Sequence, residues 1–251
     1  MSGEQAPDRT IFEITGSARV DFLQNIVTNN LSDMAGRLVY AALLTPQGKY
    51  LADFFLTARD DAILLDAKTE LAEALARRLA MYKLRADVTI TPSGLHVLRG
   101  LGEAPEGALA DPRHPALGWR LYTDAPGAAP RIDWDAIRVA HCIPETGIEL
   151  IPEETFILEA GFDRLHGVDH RKGCYVGQEV TARMKHKTEL RKGLVTVAVT
   201  GTAPVGAEVV AGGKPVGRLY TQADGKGIAY LRFDRAREPM TAGDATVTWD
   251  A

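Results

Sequence analysis

The C-terminal part of this 251-residue chain, from Gly193 onward, has an all-β pattern that follows a mixed pattern of helices and strands. Two turn dipeptides, Gly212-Gly213 and Asp224-Gly225, separate short runs of apolar and β-branched residues. Such dipeptides are typical of tight hairpins, and several short strands in sequence are typical of a small closed barrel. The pattern predicts strands at residues 193–200, 208–210, 216–220, 227–233 and 245–249.

Residues 10–92 instead predict an α+β unit. Apolar residues recur at helical spacing from Ser17 and predict a helix that ends near Asn29-Asn30. Residues 69–84 carry the clearest helical stripe, and Pro46-Gln47-Gly48-Lys49 predicts a hairpin turn. Strands are expected at 10–14, 38–45, 50–57, 63–66 and 86–91.

The middle of the chain is less regular. Residues 93–132 place short strands (95–98 and 119–122) between Gly/Pro-rich loops, and a helix is expected at 132–142. Residues 144–172 give no clear assignment. We expect a domain at 1–190 that contains a loop-rich subdomain at 92–132, followed by a β-barrel domain at 191–251.

Composition excludes several classes of protein. A net charge of −4 argues against a general nucleic-acid binder or a protein that binds anionic membranes. The polar start of the chain is no signal peptide, and no apolar run approaches the length that spans a bilayer. We therefore expect a cytoplasmic protein with no stable nucleic-acid partner and no membrane partner. Its two cysteines cannot supply the four thiolates that usually hold an iron–sulfur cluster.

The chemistry is concentrated in the octapeptide Lys172-Gly173-Cys174-Tyr175-Val176-Gly177-Gln178-Glu179. In an extended segment Lys172 and Cys174 project to the same side, and a nearby ammonium favours the thiolate. Glycines on both sides allow a ligand to approach the main chain. Gln178 and Glu179 together suit a heterocycle with an amide-like edge. The alternative is that Cys174 packs as a small apolar residue and Lys172 points to water.

Other polar residues near this motif allow two interpretations each. His166, His170 and Cys174 are spaced by four residues, but glycines disfavour a helix there and we predict no metal site. Arg183 either belongs to a solvated basic face or binds a carboxylate or phosphate. Asn29 either ends a helix or lines a polar pocket.

The octapeptide resembles the K-G-C-Y-x-G-Q-E signature of the YgfZ proteins, which are folate-binding relatives of the glycine cleavage T-protein linked to iron–sulfur cluster assembly. Further segments agree with the family's patterns, so the resemblance covers most of the chain. They are Gly16 with Phe22-Leu23-Gln24 and Thr28-Asn29, Leu44 with Pro46-Gln47-Gly48-Lys49, Arg138 with Ile143-Pro144 and Gly147, Val216-Gly217, and residues 227–232.

The resemblance implies a T-protein-like α+β domain that encloses a pocket for tetrahydrofolate or a derivative, with a small antiparallel β-barrel behind it. Cys174 and Lys172 would carry the chemistry at the edge of the pocket. The expected partners are folate and iron–sulfur client proteins, which include radical-type tRNA-modifying enzymes. The folate would be bound by Asn29, Asp53, Tyr175, Gly177, Gln178, Glu179 and Arg183.

Two departures from the family patterns bear on function. Cys142 stands where a glycine usually precedes Ile-Pro. The T-protein pattern has two adjacent aspartates after its hairpin, whereas this chain has Ala52-Asp53. The sequence thus favours a folate-binding accessory factor for iron–sulfur proteins that acts through Cys174. The alternatives are a folate-dependent aminomethyltransferase or demethylase and an interaction module with a vestigial pocket; whether the chain is an enzyme stays open.

Overall fold

The computed structural model describes residues 3–186, 189–236 and 239–250. Its contacts divide the chain into unit 1, Met1–Ile132 with Asp163–Gln178, and unit 2, Asp133–Phe162 with Glu179–Ala251. Residues 133–162 fall in unit 2 because they bond to the C-terminal strands, as Thr196 Oγ1 does to Val139 O (2.9 Å). The domain boundary at residue 190 stays a prediction.

Unit 1 contains two antiparallel sheets. In chain order its strands are β1 (Glu4–Gln5), β2 (Arg9–Thr15), β3 (Val39–Leu44), β4 (Tyr50–Arg59), β5 (Ala62–Lys68), β6 (Thr89–Pro92), β7 (His96–Gly100), β8 (Leu109–Ala110) and β9 (Trp119–Thr123). The first sheet has the order β3-β4-β5-β2-β6 and the second the order β1-β7-β9-β8. The predicted hairpin at residues 46–49 is confirmed, since β3 pairs with β4 around it.

Helices α1 (Arg19–Gln24) and α2 (Thr69–Lys83) cover one face of the five-stranded sheet. The predicted stripe of α2 is confirmed: Leu75 and Leu79 are buried in the same cluster as Phe54 and Leu65 of the sheet. Strand side chains alternate between faces, so every second residue of β4 and β5 joins this apolar core. The remaining residues of these strands face the other way.

The opposite face of the sheet buries charged side chains. Asp66 of β5 is fully buried and accepts hydrogen bonds from Arg9 Nε (2.6 Å) and Arg120 Nη1 (3.1 Å). Asp111 accepts from Arg113 (Nε 3.0 Å, Nη2 2.8 Å) and from Arg120 Nε (3.2 Å). Burial alone would raise the pKa of Asp111, but the two arginines lower it to about 2. Five buried charges, three arginines and two aspartates, thus form one hydrogen-bonded network.

The first helix is shorter than predicted. It ends at Gln24 rather than near Asn29-Asn30, because the next residues bond to other parts of unit 1. Val27 forms a bridge with Leu43, and Thr28 accepts at Oγ1 from Ala42 N (2.8 Å). A side-chain hydroxyl that offers the backbone another partner competes with a helix. Helical periodicity alone could not reveal these contacts.

Unit 2 contains helix α3 (Trp134–Ala140) and a closed six-stranded barrel; helix α4 (Gln178–His186) begins at the last residue of unit 1. The barrel strands are β10 (Lys192–Thr200), β11 (Ala207–Ala211), β12 (Lys214–Ala223), β13 (Lys226–Arg232), β14 (Met240–Ala242) and β15 (Ala245–Thr248). The predicted barrel and both predicted turns are confirmed. Strand β14 was missed, because three residues give too short a pattern to recognise.

Helix α3 ends in a Schellman motif at Cys142. Ile143 N donates to Arg138 O (2.9 Å) and Cys142 N to Val139 O (3.3 Å), while Cys142 has a φ of +50°. This position favours glycine, since a left-handed backbone brings a Cβ close to the following carbonyl. The geometry explains why the family pattern has glycine here.

We expect Cys142→Gly to raise the free energy of unfolding by about 1 kcal/mol relative to Cys142→Ala, because only glycine relieves the left-handed strain. Both variants lose the thiol, so their difference isolates the backbone effect. The measurement is urea unfolding of the two variants. Equal midpoints would show that Cys142 stores no strain.

Candidate functional site

The predicted motif lies on an irregular segment at residues 163–177, which the structure places in unit 1 without helix or strand. We call this segment the motif loop. Thr28 fixes its first half: the fully buried hydroxyl donates to Gly167 O (2.7 Å), and Thr28 O accepts from Asp169 N (3.0 Å). The sequence analysis names Thr28 only as part of the family resemblance. It did not predict that Thr28 anchors the motif loop.

Asn29 bonds to the backbone at both ends of its amide. Its Nδ2 donates to His166 O (2.6 Å) and Tyr40 O (2.8 Å), and its Oδ1 accepts from Asn30 N (2.9 Å). The interpretation of Asn29 as a helix end is wrong, because α1 stops at Gln24. The amide instead ties the motif loop to β3. Its contact with folate stays a prediction.

Lys172 fastens the motif loop to the end of α1. Its ammonium donates to Gln24 O (2.6 Å) and Val27 O (2.5 Å). Burial lowers the pKa of Lys172 from 10.5 to about 8, although Asp169 opposes this shift. A lysine with such a pKa exchanges its proton close to neutral pH. The two carbonyl contacts give Lys172 a structural role, and its predicted effect on the thiol stays a prediction.

Cys174 is exposed between fixed points of the loop. Tyr175 is buried and its ring lies 5.4 Å from Lys172 Nζ. Gly177 has a φ of +82°, and a Cβ there would lie 2.6 Å from Thr45 O of the hairpin turn, so only glycine fits. The thiol is therefore presented to solvent from a held backbone, as reaction with another molecule requires.

The described residues show no metal site of the chain's own. His170 Nε2 lies 2.9 Å from Asp163 Oδ1. Within residues 3–186, 189–236 and 239–250, no group of three or more His, Cys, Asp or Glu side chains could hold a metal ion.

Asp53 is buried on the charged face of the sheet. Its carboxylate accepts from the Tyr40 hydroxyl (3.0 Å) and the Tyr50 hydroxyl (2.7 Å). Burial raises the pKa of Tyr40 well above 10, and the Asp53 charge raises it further, so this phenol stays a donor. The two tyrosines were missed, since their positions in sequence do not show that they converge on one carboxylate.

A cavity of about 590 Å³ opens beside the first half of the motif loop. Its volume lies in the range of small-molecule sites, about 300–1,000 Å³. Tyr40 lines it and so links it to Asp53. Its polar lining includes Asn29, Arg37, Asp163, Asp169, His170 and Arg171.

Three further residues that were predicted to bind folate, Gln178, Glu179 and Arg183, lie in helix α4. Gln178 N donates to Tyr175 O (3.2 Å), which joins the helix to the motif loop. Arg183 Nη2 lies 2.9 Å from Glu179 Oε1, and both side chains are mostly exposed. Such a pair contributes only about 0.3–0.5 kcal/mol, so it leaves both groups available to a ligand. Gln178, Glu179 and Arg183 stay predicted folate contacts.

Comparison with known proteins identifies the family. The family described as CAF17, C-terminal beta-barrel domain, matches residues 191–251. Iron-sulfur cluster assembly factor IBA57, mitochondrial, from Mus musculus is 31% identical over 92% of this chain and 78% of its own length. The chain belongs to the IBA57/YgfZ/CAF17 family of iron–sulfur cluster assembly factors. Iron-sulfur cluster assembly factor IBA57, mitochondrial, from Homo sapiens is 30% identical to this chain, again over 92% of this chain and 78% of its own length.

A solved structure supports the fold independently. The glycine cleavage system aminomethyltransferase T from Bartonella henselae aligns with a TM-score of 0.74, over 97% of this chain and 82% of its own. At 15% identity this likeness shows the fold alone. It confirms the predicted T-protein-like α+β fold. Within the described residues no helix is long and apolar enough to cross a membrane, and the cytoplasmic location stays a prediction.

Proposed function

We propose that this IBA57 relative assembles or repairs iron–sulfur proteins through the Cys174 thiol, with a tetrahydrofolate-type cofactor bound beside the motif loop. The observation that carries the proposal is the exposed thiol on a loop held by Thr28, Lys172 and Gly177. Such anchoring is unnecessary for a cysteine that only packs. The mouse and human relatives, which are named iron-sulfur cluster assembly factors, support the same role.

A transient cluster contact fits the ligand supply better than permanent storage. A cluster usually needs four protein ligands, and the chain has two cysteines. Cys174 would therefore supply one thiolate while a client or carrier supplies the rest. The ammonium of Lys172, two positions before Cys174 in the sequence, would favour the thiolate form of this cysteine.

The cavity beside the motif loop fits the chemistry of a folate. Its arginines, Arg37 and Arg171, suit the carboxylates of a glutamate tail, since guanidinium groups bind carboxylates with two parallel hydrogen bonds. Asp169 could accept from the amino and ring N–H groups of a pterin. A bound folate would supply a one-carbon unit. The residues of this chain would hold and orient it.

We expect Cys174→Ser to abolish function while Cys142→Ser keeps it. In cells that depend on this chain, the activity of iron–sulfur enzymes with the Cys174 variant should fall to the level of cells without the protein. Cys142 is the matched control because it is the other cysteine and is partly exposed. Full activity of the Cys174 variant would refute a thiol mechanism.

A tetrahydrofolate titration separates binding from chemistry. The Cys174→Ser protein should bind tetrahydrofolate like the unsubstituted protein, because Cys174 is not among the residues that line the cavity. Arg171→Met should weaken binding about tenfold or more, as loss of one charge-assisted contact does. Absence of binding in the unsubstituted protein would remove folate from the proposal and leave the thiol role standing.

The second candidate is a folate-dependent aminomethyltransferase or demethylase. Its support is the T-protein fold together with Asp53, which two tyrosines hold in place. A held carboxylate could position or take a proton from a folate amine. The decisive assay is formation of methylene-tetrahydrofolate from glycine-cleavage or N-methylglycine-type substrates, and no turnover would exclude this candidate.

A further inference from the structure

Unit 2 contains a cavity of about 400 Å³, which the proposed function does not use. Segment 149–160 forms one wall, and strands of the barrel form the other. Its apolar lining includes Ile151, Leu194 and Val216. The volume is large enough for a side chain or small molecule.

Two buried carboxylates, Glu149 and Glu159, line this cavity, and we call them its floor. Glu159 is 9% exposed, and its Oε2 accepts from the Tyr230 hydroxyl (2.6 Å). Burial raises the pKa of Tyr230 far above 10, and the bond to Glu159 raises it further, so Tyr230 stays a donor. The Tyr230 hydroxyl and the Lys192 ammonium both approach the same oxygen, Oε2. A carboxylate that is so deeply buried favours a cationic donor.

A second phenol lines the same cavity. Tyr220 is a lining residue, and burial raises the pKa of its hydroxyl, so this phenol stays protonated. Two phenol rings and several carboxylates in one lining attract a cation through both the ring faces and the charge.

One cation of this chain, Lys192, already lies beside Glu159 and Tyr230. Lys192 Nζ lies 3.7 Å from Glu159 Oε2 and 5.4 Å from the centre of the Tyr230 ring. The Lys192 side chain is 45% exposed, so it is a loosely held occupant that a better donor could displace. The position of Lys192 shows that the Glu159 carboxylate and the Tyr230 ring together favour a positive charge.

The basic residues at the rim do not oppose a cation. Arg218 stands directly opposite Glu208 in the register of β11 and β12. Arg232 lies 3.7 Å from Asp234. Each rim arginine thus has an acidic neighbour, whereas the other buried carboxylate of the floor, Glu149, is neutralised by Arg138 (3.2 Å).

We propose that this cavity binds an alkylguanidinium group, presented by an arginine side chain of a partner protein or by a free small guanidine. A guanidinium group has several N–H donors, which would bond to the Glu159 carboxylate and to a phenol oxygen of the lining. It is weakly hydrated and stacks on aromatic rings, so it leaves water more readily than an ammonium. Ile151 and Leu194 provide apolar surface for the methylene stem.

The test uses two probes that differ only in charge. N-acetyl-arginine N-methylamide should bind the full-length protein in a calorimetric titration. The citrulline analogue, which is nearly isosteric and neutral, should bind about tenfold more weakly or worse, because it loses the charge-assisted hydrogen bond. Propylguanidinium separates the two sources: binding as tight as that of the arginine probe indicates a free guanidine, and weaker binding indicates a peptide.

Two variants assign the site. Glu159→Gln should lose most of the affinity for the arginine probe. Lys192→Met should increase that affinity, because it removes the competing ammonium and leaves Glu159 in place. Glu208→Gln at the rim is the control and should change affinity little.

A purely structural role for Glu159 predicts no gain in the Lys192 variant, so this variant decides the matter even if Glu159→Gln fails to fold. Equal binding of the two probes, or unchanged affinity in Lys192→Met, would overturn the proposal. No binding of any cation to the unsubstituted protein would overturn it as well. These titrations need neither folate nor a cluster, so their outcome is independent of the role of Cys174.

Discussion

Asp66→Asn should lower the free energy of unfolding by about 3–5 kcal/mol, the cost of breaking a buried ion pair by removing one partner. Asp66 is the centre of the charged face in unit 1, where it accepts from Arg9, Arg120 and the Tyr122 hydroxyl (3.1 Å). Asparagine keeps the volume but removes the charge. It also replaces one acceptor oxygen with an NH2 group, which would face donors.

Arg113 and Arg120 stay buried against Phe55 when the Asp66 charge is lost. Arg120 lies 4.0 Å from the centre of the Phe55 ring, and Arg113 lies 4.8 Å from it. Arg120 is buried, and without Asp66 the cost of removing its guanidinium from water would be offset by Asp111 alone among its ion-pair partners in the described residues. The loss should therefore exceed that of any surface ion pair in the chain.

Asp8→Asn provides the matched control. Asp8 pairs with Lys68, but its side chain is 48% exposed, so its loss should cost less than about 1 kcal/mol. Urea unfolding followed by circular dichroism would give both values. Similar losses in the two variants would show that the buried network contributes no more than a surface pair.

The sequence predicted the barrel better than the site. Turn dipeptides such as Gly212-Gly213 and Asp224-Gly225 fix hairpins through local backbone preferences, and those preferences are visible in adjacent residues. The charged face could not be predicted in this way. Asp66 and Arg120 lie 54 positions apart, and nothing local marks either one as buried.

In the motif loop, too, local features could be predicted and distant contacts could not. The candidate reactive residues were predicted from the sequence, because Lys172, Cys174 and the flanking glycines form one short run. Its anchors were not, because Thr28 reaches Gly167 across 139 positions and Lys172 reaches Gln24 across 148. The first helix was predicted to extend to Asn29-Asn30, so Thr28 was assigned to that helix and its contact with Gly167 was not expected. Periodicity indicates which face is apolar but not where tertiary hydrogen bonds end a helix.

Arg138→Met should destabilise unit 2 by about 3–5 kcal/mol. Arg138 is 4% exposed and donates to Glu149 Oε2 (3.2 Å), Ile143 O (2.9 Å) and Thr221 Oγ1 (3.2 Å). Methionine keeps the apolar stem and removes every donor. The Glu149 side chain is fully buried. Its remaining donors among the described residues would be the Glu145 amide (2.9 Å) and the Thr221 hydroxyl (2.5 Å) and amide (3.3 Å).

Arg235→Met is the control for this variant, because Arg235 meets Asp234 at 3.7 Å on an exposed surface and should contribute less than about 1 kcal/mol. Calorimetry of the Arg138 and Asp66 variants also tests cooperativity, since each substitution lies in a different unit. If the units unfold separately, each substitution lowers the transition temperature of its own unit and leaves that of the other unit unchanged. If the chain unfolds as one body, both variants shift a single transition by similar amounts. A normal transition for Arg138→Met would mean that water or nearby donors satisfy Glu149 without the guanidinium.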